Sequence, residues 1–174
     1  IGNFLPDVYG AFSTTFNWKS FNLYLGFQYS LGNDMYNANY VMTASYTGDG
    51  SNQIGRWMKR WTPENQTNDP LYYSQIPTKL VSSVHVEDAS FLRFSTARLT
   101  YTLPAKLLSR AKHIEMCKFY VSADNLYTFT KYSGYDPEVG ISQNSASAIL
   151  SQGFDYGNFT HARTFTFGVN LSFK

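Results

Sequence analysis

The C-terminal end of the chain alternates between apolar and polar residues almost without interruption. Over residues 161–173 the apolar side chains share one parity and small polar side chains occupy the other; the apolar set is Phe165, Phe167, Val169, Leu171 and Phe173. Because successive side chains of a β-strand point to opposite faces, this pattern predicts a long strand with one apolar and one polar face. What such a chain can fold into therefore depends on what covers the apolar face.

Composition leaves two fold classes open. Aromatic residues make up 18% of the 174 residues, whereas charged residues make up only 15%, below the ~25% of an average soluble domain. No segment approaches the ~18 apolar residues of a membrane-spanning helix. A soluble β-sandwich fits this composition, and so does a transmembrane β-barrel, whose strands are half polar and whose rims carry aromatic girdles. The net charge of +2 is too small to indicate nucleic acid.

Four further segments predict strands. Residues 11–18 and 21–31 alternate and are joined by Lys19-Ser20, which predicts a β-hairpin. In residues 90–103 the apolar parity slips, so we expect a β-bulge near residues 95–97. Residues 116–130 alternate again. The lone Cys117 excludes a disulfide within the chain and is expected to be a small apolar residue on this strand.

The connections differ in length and composition. Residues 32–87 and 131–160 are long and polar, and they alternate with short turns. Trp57 and Trp61 lie one helical turn apart, which indicates a short helix in the first long segment. After Pro104 a second helix is expected, with one face formed by Leu107, Leu108, Ala111 and Ile114. Alternating long and short connections are typical of outer-membrane barrels, with long loops outside the cell and short periplasmic turns.

Five strands are too few to close a membrane barrel. Single-chain outer-membrane barrels begin at about eight strands, and an open edge in lipid leaves costly unpaired backbone groups. We therefore expect an all-β antiparallel barrel segment whose other strands lie in a longer polypeptide, since residue 1 is not a methionine. The lipid-facing side chains are predicted to be Phe12, Phe16, Leu23, Leu25, Phe27, Phe119, Val121, Phe165, Phe167, Val169 and Leu171.

Several ordered motifs resemble one family. Residues 87–94 read EDASFLRF and residues 99–104 read LTYTLP; YVSADNLYTFT follows at 120–130, YSGYDPE at 132–138 and RTFTFGVN at 163–170. Upstream, WKSFNL at 18–23, GNDMYN at 32–37 and RWTP at 60–63 continue the series. Each motif is short, but together, in this order, they resemble the C-terminal part of SusC/RagA-like TonB-dependent transporters, over essentially the whole chain.

This resemblance implies a bacterial outer-membrane protein with a barrel of about 22 strands. Residues 1–174 would be the C-terminal portion of that barrel. It further implies an N-terminal plug and TonB contact segment outside this chain, a SusD-like lipoprotein lid, and active import of oligosaccharides or peptides without enzymatic activity or a cofactor. Two alternatives stay open: a passive porin or structural barrel, and a secreted carbohydrate-binding β-sandwich or glycosidase.

The candidate ligand- or lid-facing residues are aromatic side chains of the long loops, because aromatic faces stack on sugars and peptides and carry polar tips. They are Trp57, Trp61, Tyr72, Tyr73, Tyr132 and Tyr135. The resemblance also implies that the aromatic C-terminal residue, Phe173, acts as a barrel-assembly signal.

Other constellations have simpler interpretations. Asp136 and Glu138 are close carboxylates of the kind a glycosidase uses, but Asp before Pro favours a turn, so we expect loop-shaping hydrogen bonds. The three histidines lack metal-ligand spacing. The basic and aromatic residues 56–61 could contact single-stranded nucleic acid, yet a packed loop or a lid-facing surface fits a nearly neutral chain better.

Overall fold

The chain forms a strand-rich fold, described here from a computed structural model. The described residues are 2–44, 52–59, 61–68, 82–109, 113–138 and 152–174, with only the backbone described at positions 56 and 57. The elements in chain order are β1 (Val8–Trp18), β2 (Phe21–Leu31), β3 (Asp34–Asn37), α1 (Ala38–Ala44), 3-10 helices at Gly55–Lys59 and Ser83–His85, β4 (Val86–Asp88), β5 (Phe91–Thr102), α2 (Ala105–Leu108), β6 (Ile114–Thr130), β7 (Phe154–Asp155) and β8 (Thr164–Phe173).

The five strands predicted from alternation form one sheet in the order β1-β2-β5-β6-β8. The bounds of β2 match the prediction, β5 is one residue shorter than predicted at each end, and β8 begins three residues later than predicted. One prediction is wrong: Ile114 begins β6 and does not belong to a helix, and α2 ends at Leu108. Ile114 has the spacing of a helix face relative to Leu107 and Leu108 because only a few residues separate the end of α2 from the start of β6.

The sheet places its apolar side chains on one face. Leu23 pairs with Leu99, which pairs with Val121, which pairs with Phe167. Phe12 stacks on Phe27, with ring centroids 4.9 Å apart, and the stack continues to Phe94. All the predicted lipid-facing residues have the parity of this face, and most stay well exposed, among them Phe12, Phe16, Phe119, Val121, Phe165, Phe167, Val169 and Leu171. No other described segment covers this row as a second layer.

The opposite face of the sheet is polar. Arg98, Thr100, Lys118 and Asn170 are among the residues that line an open groove of about 720 Å³ on it. Sheets with one apolar and one polar face need a different environment on each side. An apolar outer surface and a polar inner surface are the arrangement of a transmembrane barrel wall.

A β-bulge interrupts the pairing where the apolar parity slips. Between β5 and β6 the register passes from Phe94–Tyr127 to Thr96–Asp124, so Ser95 lies opposite two unpaired residues. The predicted bulge is therefore confirmed. One of the two residues, Asn125, has φ = 53°, and its side-chain amide donates to the Ala162 carbonyl, 3.0 Å away.

The chain divides into two units, each described here by itself. The sheet unit comprises Val8–Ser30, Phe91–Thr130 and His161–Lys174. The loop unit comprises Ile1–Asp7, Leu31–Ser90 and Lys131–Thr160, and it holds a second sheet in the order β4-β3-β7. β3 pairs antiparallel with β4 and parallel with β7. The long segments are thus more regular than the sequence predicted.

Apolar packing in the described part of the loop unit is sparse. Met35, Ala89 and Tyr132 form a small buried cluster, and Ala89 is completely buried. The short helix expected near Trp57 is present as the 3-10 helix at Gly55–Lys59. Among the described residues, no helix is both long and apolar enough to cross a membrane.

We predict that Phe167→Arg reduces insertion of the full-length protein into the outer membrane. Phe167 is 75% exposed on the apolar face, where an arginine near the middle of the bilayer costs roughly 2–4 kcal/mol. The matched control is Thr166→Arg, because Thr166 pairs with Ser122 on the polar face. Quantitative blotting of outer-membrane fractions measures both. Equal abundance of the two variants would contradict the assignment of the faces.

We also predict a graded loss of stability at the bulge. Asn125→Gly keeps the left-handed backbone and loses one hydrogen bond, which costs about 1 kcal/mol. Asn125→Ala loses the bond and adds strain of roughly 1–2 kcal/mol for a side chain with positive φ. Urea unfolding of the full-length protein in detergent measures the order. A glycine variant less stable than the alanine variant would show that the backbone conformation is not the main constraint.

Candidate ligand- and partner-facing loops

Glu87 accepts three hydrogen bonds in the loop unit. Its Oε2 accepts a 2.8 Å hydrogen bond from the Ser133 amide, and its Oε1 accepts a 2.8 Å bond from the Ser133 hydroxyl. The Asn37 side-chain amide donates to the same Oε1 over 3.1 Å. Asn37 itself is almost fully buried and caps the first turn of α1, because its Oδ1 accepts from the Tyr40 amide. The Glu87 carboxylate thus joins its own segment to two others, which lie 50 residues before it and 46 residues after it.

The residues that follow Glu87 form a tight turn. The Asp88 carboxylate accepts from the Ser90 amide over 2.9 Å, and the Ser90 hydroxyl accepts from the Gly32 amide over 2.9 Å. Hydrogen bonds from the side chain and backbone of Ser90 lower the pKa of Asp88 below its ordinary value. The buried Ala89 amide donates to the Asn33 carbonyl. The EDAS residues therefore fix the backbone where β4 ends.

A buried hydrogen bond between Tyr132 and Asp155 anchors the 132–138 loop. The Tyr132 hydroxyl donates to Asp155 Oδ2 over 2.7 Å, and Asp155 Oδ1 accepts from the Gly157 amide over 2.8 Å. Burial, followed by the hydrogen bond to Asp155, raises the pKa of Tyr132 far above its ordinary value. The ring also lies against Gly134, where any Cβ would overlap it. Asp155 is completely buried, and these donors compensate for its desolvation.

One of the two candidate carboxylates of a glycosidase, that of Asp136, shapes this loop. Asp136 is 6% exposed, and its Oδ1 accepts from the Glu138 amide over 3.0 Å. This bond, from a side chain to the amide two residues later, is the geometry of an Asx turn. The contact agrees with the loop-shaping role expected for Asp136.

Aromatic rings form a ladder across the loop unit. His85 lies against Tyr40 and Tyr36, with ring centroids 5.7 Å and 6.1 Å away. Tyr36 contacts Phe154, and Phe154 stacks on Tyr156. Burial lowers the pKa of His85, opposed by the negative charge of Glu87. The His85 Nδ1 is buried and has no hydrogen-bond partner within the described part of the chain.

A small cleft opens beside this ladder. It has a volume of about 180 Å³ and is lined by Asn37, Asn39, Tyr40, Thr43, Ile54, Ser133, Gly134 and Tyr135. Its described lining is uncharged, and its size is below the ~300–1,000 Å³ of a typical small-molecule site. The cleft has room for one side chain or one ring of a larger ligand.

The structure places the predicted loop residues differently from one another. Trp61 is 37% exposed and Tyr135 is 73% exposed, so both offer their rings to solvent. Tyr132 is only 6% exposed and bonded to Asp155, which argues against it as a ligand contact and for a packing role. The side chain of Trp57 and the whole of Tyr72 and Tyr73 lie outside the described residues.

Sequence reasoning missed the residues that organise the loops. Glu87 stood out only as part of a motif, and Asn37, His85 and Asp155 received no structural role. The sequence held one indirect signal. Glu87 opens the EDASFLRF motif and Tyr132 opens the YSGYDPE motif, so a contact between these two motifs could have been inferred.

We predict that Glu87→Gln loosens the loop unit while the sheet stays folded. The amide cannot accept at both ends, so at least one bond to Ser133 or Asn37 is lost, at roughly 1.5–3 kcal/mol for a bond to a charged group. Hydrogen–deuterium exchange of the full-length protein should show faster exchange of the Ser133 amide. The control is Glu64→Gln, an exposed change of the same type. Unaltered exchange at Ser133 would contradict the role of Glu87.

We predict that the loop unit loses stability as the pH falls. The pKa of His85 is lowered in the fold from its ordinary 6.5. The contribution of the neutral imidazole to the stability of the fold is therefore complete above pH 6.5. The contribution declines as the pH falls through the folded pKa. His85→Phe keeps the packing against Tyr36 and Tyr40 and should flatten this dependence in pH-dependent exchange of loop amides. His113→Gln is the control, and a flattening there as well would contradict the assignment to His85.

No protein-family model matches the chain. Three curated proteins of Formosa agariphila do match: "TonB-dependent receptor P3" is 32% identical over 174 residues, P26 is 30% identical over 176 and P39 is 28% identical over 180. Each alignment covers 99% of this chain but only 17% or 18% of the relative, so the chain spans less than a fifth of their length.

Solved structures give the same picture. A "RagAB peptide transporter" structure matches with a TM-score of 0.78 and 29% identity, over 94% of this chain and 17% of that one. The RagAB peptide importer in its "closed-closed" state matches with a TM-score of 0.79 and 28% identity, over 95% of this chain and 17% of that one. These relatives are receptors and transporters, not enzymes, and they are barrel proteins of the outer membrane. By sequence and by fold, this chain is similar to one part of the TonB-dependent outer-membrane receptors and transporters of the RagA/SusC type.

Proposed function

We propose that this chain forms part of an outer-membrane importer that is energised through TonB and takes up oligosaccharides or peptides. The observation that carries this proposal is the match, over nearly the whole chain, to structures described as a peptide transporter. The open sheet supports it, because a polar face lines a groove while the opposite face exposes an apolar row. The remaining strands and the plug would come from other parts of the same polypeptide.

A SusD-like lipoprotein is the proposed extracellular partner. Trp61 and Tyr135, two of the exposed aromatic residues in the loops, are its candidate contacts or contacts of the imported ligand. Trp57, Tyr72 and Tyr73 remain candidates of the same kind. Aromatic residues are enriched where proteins bind partners, since they bury a large area and lose little side-chain entropy.

The experiment compares uptake with and without energy coupling. Cells expressing the full-length gene product should accumulate a labelled oligosaccharide or peptide, and deletion of tonB should abolish the accumulation. A gene deletion complemented with the same gene is the control for expression. Uptake that persists without TonB would favour a passive porin, and no uptake of either ligand class would contradict the importer.

The loop contacts need a separate test. A Tyr135→Ala variant should lower uptake, capture of the co-expressed lipoprotein, or both. Its abundance in the outer membrane should stay unchanged. Phe159→Ala is the matched control, because Phe159 is a fully exposed aromatic residue of the same unit. Equal behaviour of both variants would remove Tyr135 from the proposed contacts.

We also propose that Phe173 is an assembly signal. Phe173 ends β8, pairs with Ile114 at the end of the sheet and is 66% exposed. Phe173→Ser should therefore reduce insertion in cells while leaving the unfolding midpoint of the inserted protein nearly unchanged. Outer-membrane abundance and urea unfolding in detergent measure the two effects. Normal abundance, or an equal loss of stability, would contradict a signalling role.

A further inference from the structure

Charge is strongly segregated between the two units of the chain. By sequence, the sheet unit carries nine Lys or Arg residues and two Asp or Glu residues, whereas the loop unit carries five and ten. The small net charge of the whole chain therefore conceals a strongly basic sheet unit. A surface of one sign attracts partners of the opposite sign, and this attraction weakens with salt.

Three of the basic side chains lie at one end of the sheet. Lys19 forms the turn between β1 and β2, Lys106 lies in α2 between β5 and β6, and Lys174 follows β8. All three are exposed. Backbone contacts place these positions at the same edge, because the Thr102 amide donates to the Ser20 carbonyl and the Lys174 amide donates to the His113 carbonyl. This end carries the short connections.

Exposed apolar rings border the same edge. Trp18 stacks on Phe21, with centroids 6.2 Å apart, and Phe21 packs on Tyr101 at 4.8 Å, so three neighbouring strands form one aromatic belt. Trp18 is 65% exposed. Leu107, next to Lys106, is also an exposed apolar side chain. Trp and Tyr favour the boundary between hydrocarbon and headgroups, where one side of the ring is apolar and the other is wet.

Lys19 joins the belt to the charged edge. Its ammonium nitrogen lies 4.8 Å from the centroid of the Trp18 ring. The contact places a positive charge at the level of an aromatic residue that sits at the membrane boundary. Lysines in such positions bury their methylene stems along apolar surface and keep the ammonium at the level of the headgroups.

We infer that this edge of the sheet, defined by Lys19, Lys106, Lys174 and the Trp18–Phe21–Tyr101 belt, binds anionic phospholipid headgroups of the leaflet that faces the short turns. The inference goes beyond import and rests on the sheet spanning the outer membrane. The order of apolar row, aromatic belt and ammonium groups matches the order of hydrocarbon, boundary and phosphate in a bilayer. A protein partner does not require an aromatic belt continuous with the apolar row, so a lipid fits this edge better.

The test uses the purified full-length protein in nanodiscs of phosphatidylcholine, with and without phosphatidylglycerol. Native mass spectrometry counts the phosphatidylglycerol molecules retained after release, and thermal unfolding reports the stabilisation they provide. K19Q/K106Q is the test variant. K59Q/K131Q is the matched control, because it removes the same charge from exposed positions of the loop unit. K19R/K106R keeps the charge.

We expect K19Q/K106Q to weaken the preference for phosphatidylglycerol by roughly 30-fold, the ratio that corresponds to about 1 kcal/mol for each of two lysines near an anionic surface. The control and the arginine variant should retain the preference, and uptake should stay normal in K19Q/K106Q and K19R/K106R. Equal retention in every variant, or equal loss in both glutamine pairs, overturns the inference. Loss of partner capture with an unchanged lipid preference would assign the edge to a protein. Import and lipid preference are measured separately, so failure of the lipid inference can be distinguished from failure of the importer proposal.

Discussion

An apolar sheet face that none of the described residues covers with a second layer is the constraint on which the rest of this structure depends. Burial of apolar area is the dominant favourable term in folding, yet Phe165, Phe167 and Val169 project from β8 without cover from the described residues. A soluble sandwich would meet this row with a second sheet about 10 Å away. A bilayer meets it with hydrocarbon, so the membrane takes the place that a protein core has in other all-β folds.

The same constraint explains why hydrogen bonds, more than apolar packing, hold the loops. The apolar residues of the chain are concentrated in the strands, and the described buried apolar cluster of the loop unit comprises only Met35, Ala89 and Tyr132. A segment with so little apolar area to bury needs other interactions to offset the entropy of ordering. Glu87 and Asp155 supply them, because Glu87 accepts bonds from Asn37 and Ser133, and Asp155 accepts one from Tyr132, all distant in the sequence. Bonds to charged groups are among the stronger ones in proteins.

The sequence predicted the sheet well because its signal is periodic and each strand is long. Alternation over ten or more residues identified β2, β5, β6 and β8, and the slip in parity located the bulge opposite Asn125. The loop unit could not be predicted in this way, since β3, β4 and β7 are two to four residues long. A segment that short shows no measurable period. The parallel pairing of Tyr36 with Phe154 joins positions far apart in the chain, and no local pattern encodes it.

Candidate site residues were predictable by type and not by exposure. Tyr132 and Tyr135 belong to the same motif and have the same chemistry, but one is buried and the other is open to solvent. The difference arises from Asp155, more than twenty residues away, whose carboxylate accepts from the Tyr132 hydroxyl. Burial of a tyrosine is thus decided by a long-range partner for its hydroxyl, which composition and spacing do not reveal.

The polar face of the sheet shows how a barrel wall can order its own side chains without a core. Tyr120 pairs with Gly168 across β6 and β8, and its ring covers the glycine so closely that any Cβ there would overlap it. The guanidinium of Arg98, on the adjacent β5, lies over the same ring, 4.2 Å from its centroid. An aromatic ring that covers a strand glycine restores packing that the missing side chain would otherwise lose. The cation adds an electrostatic attraction to the ring face. A side chain at position 168 would overlap the Tyr120 ring, so the packing of this ring on the polar face requires glycine there.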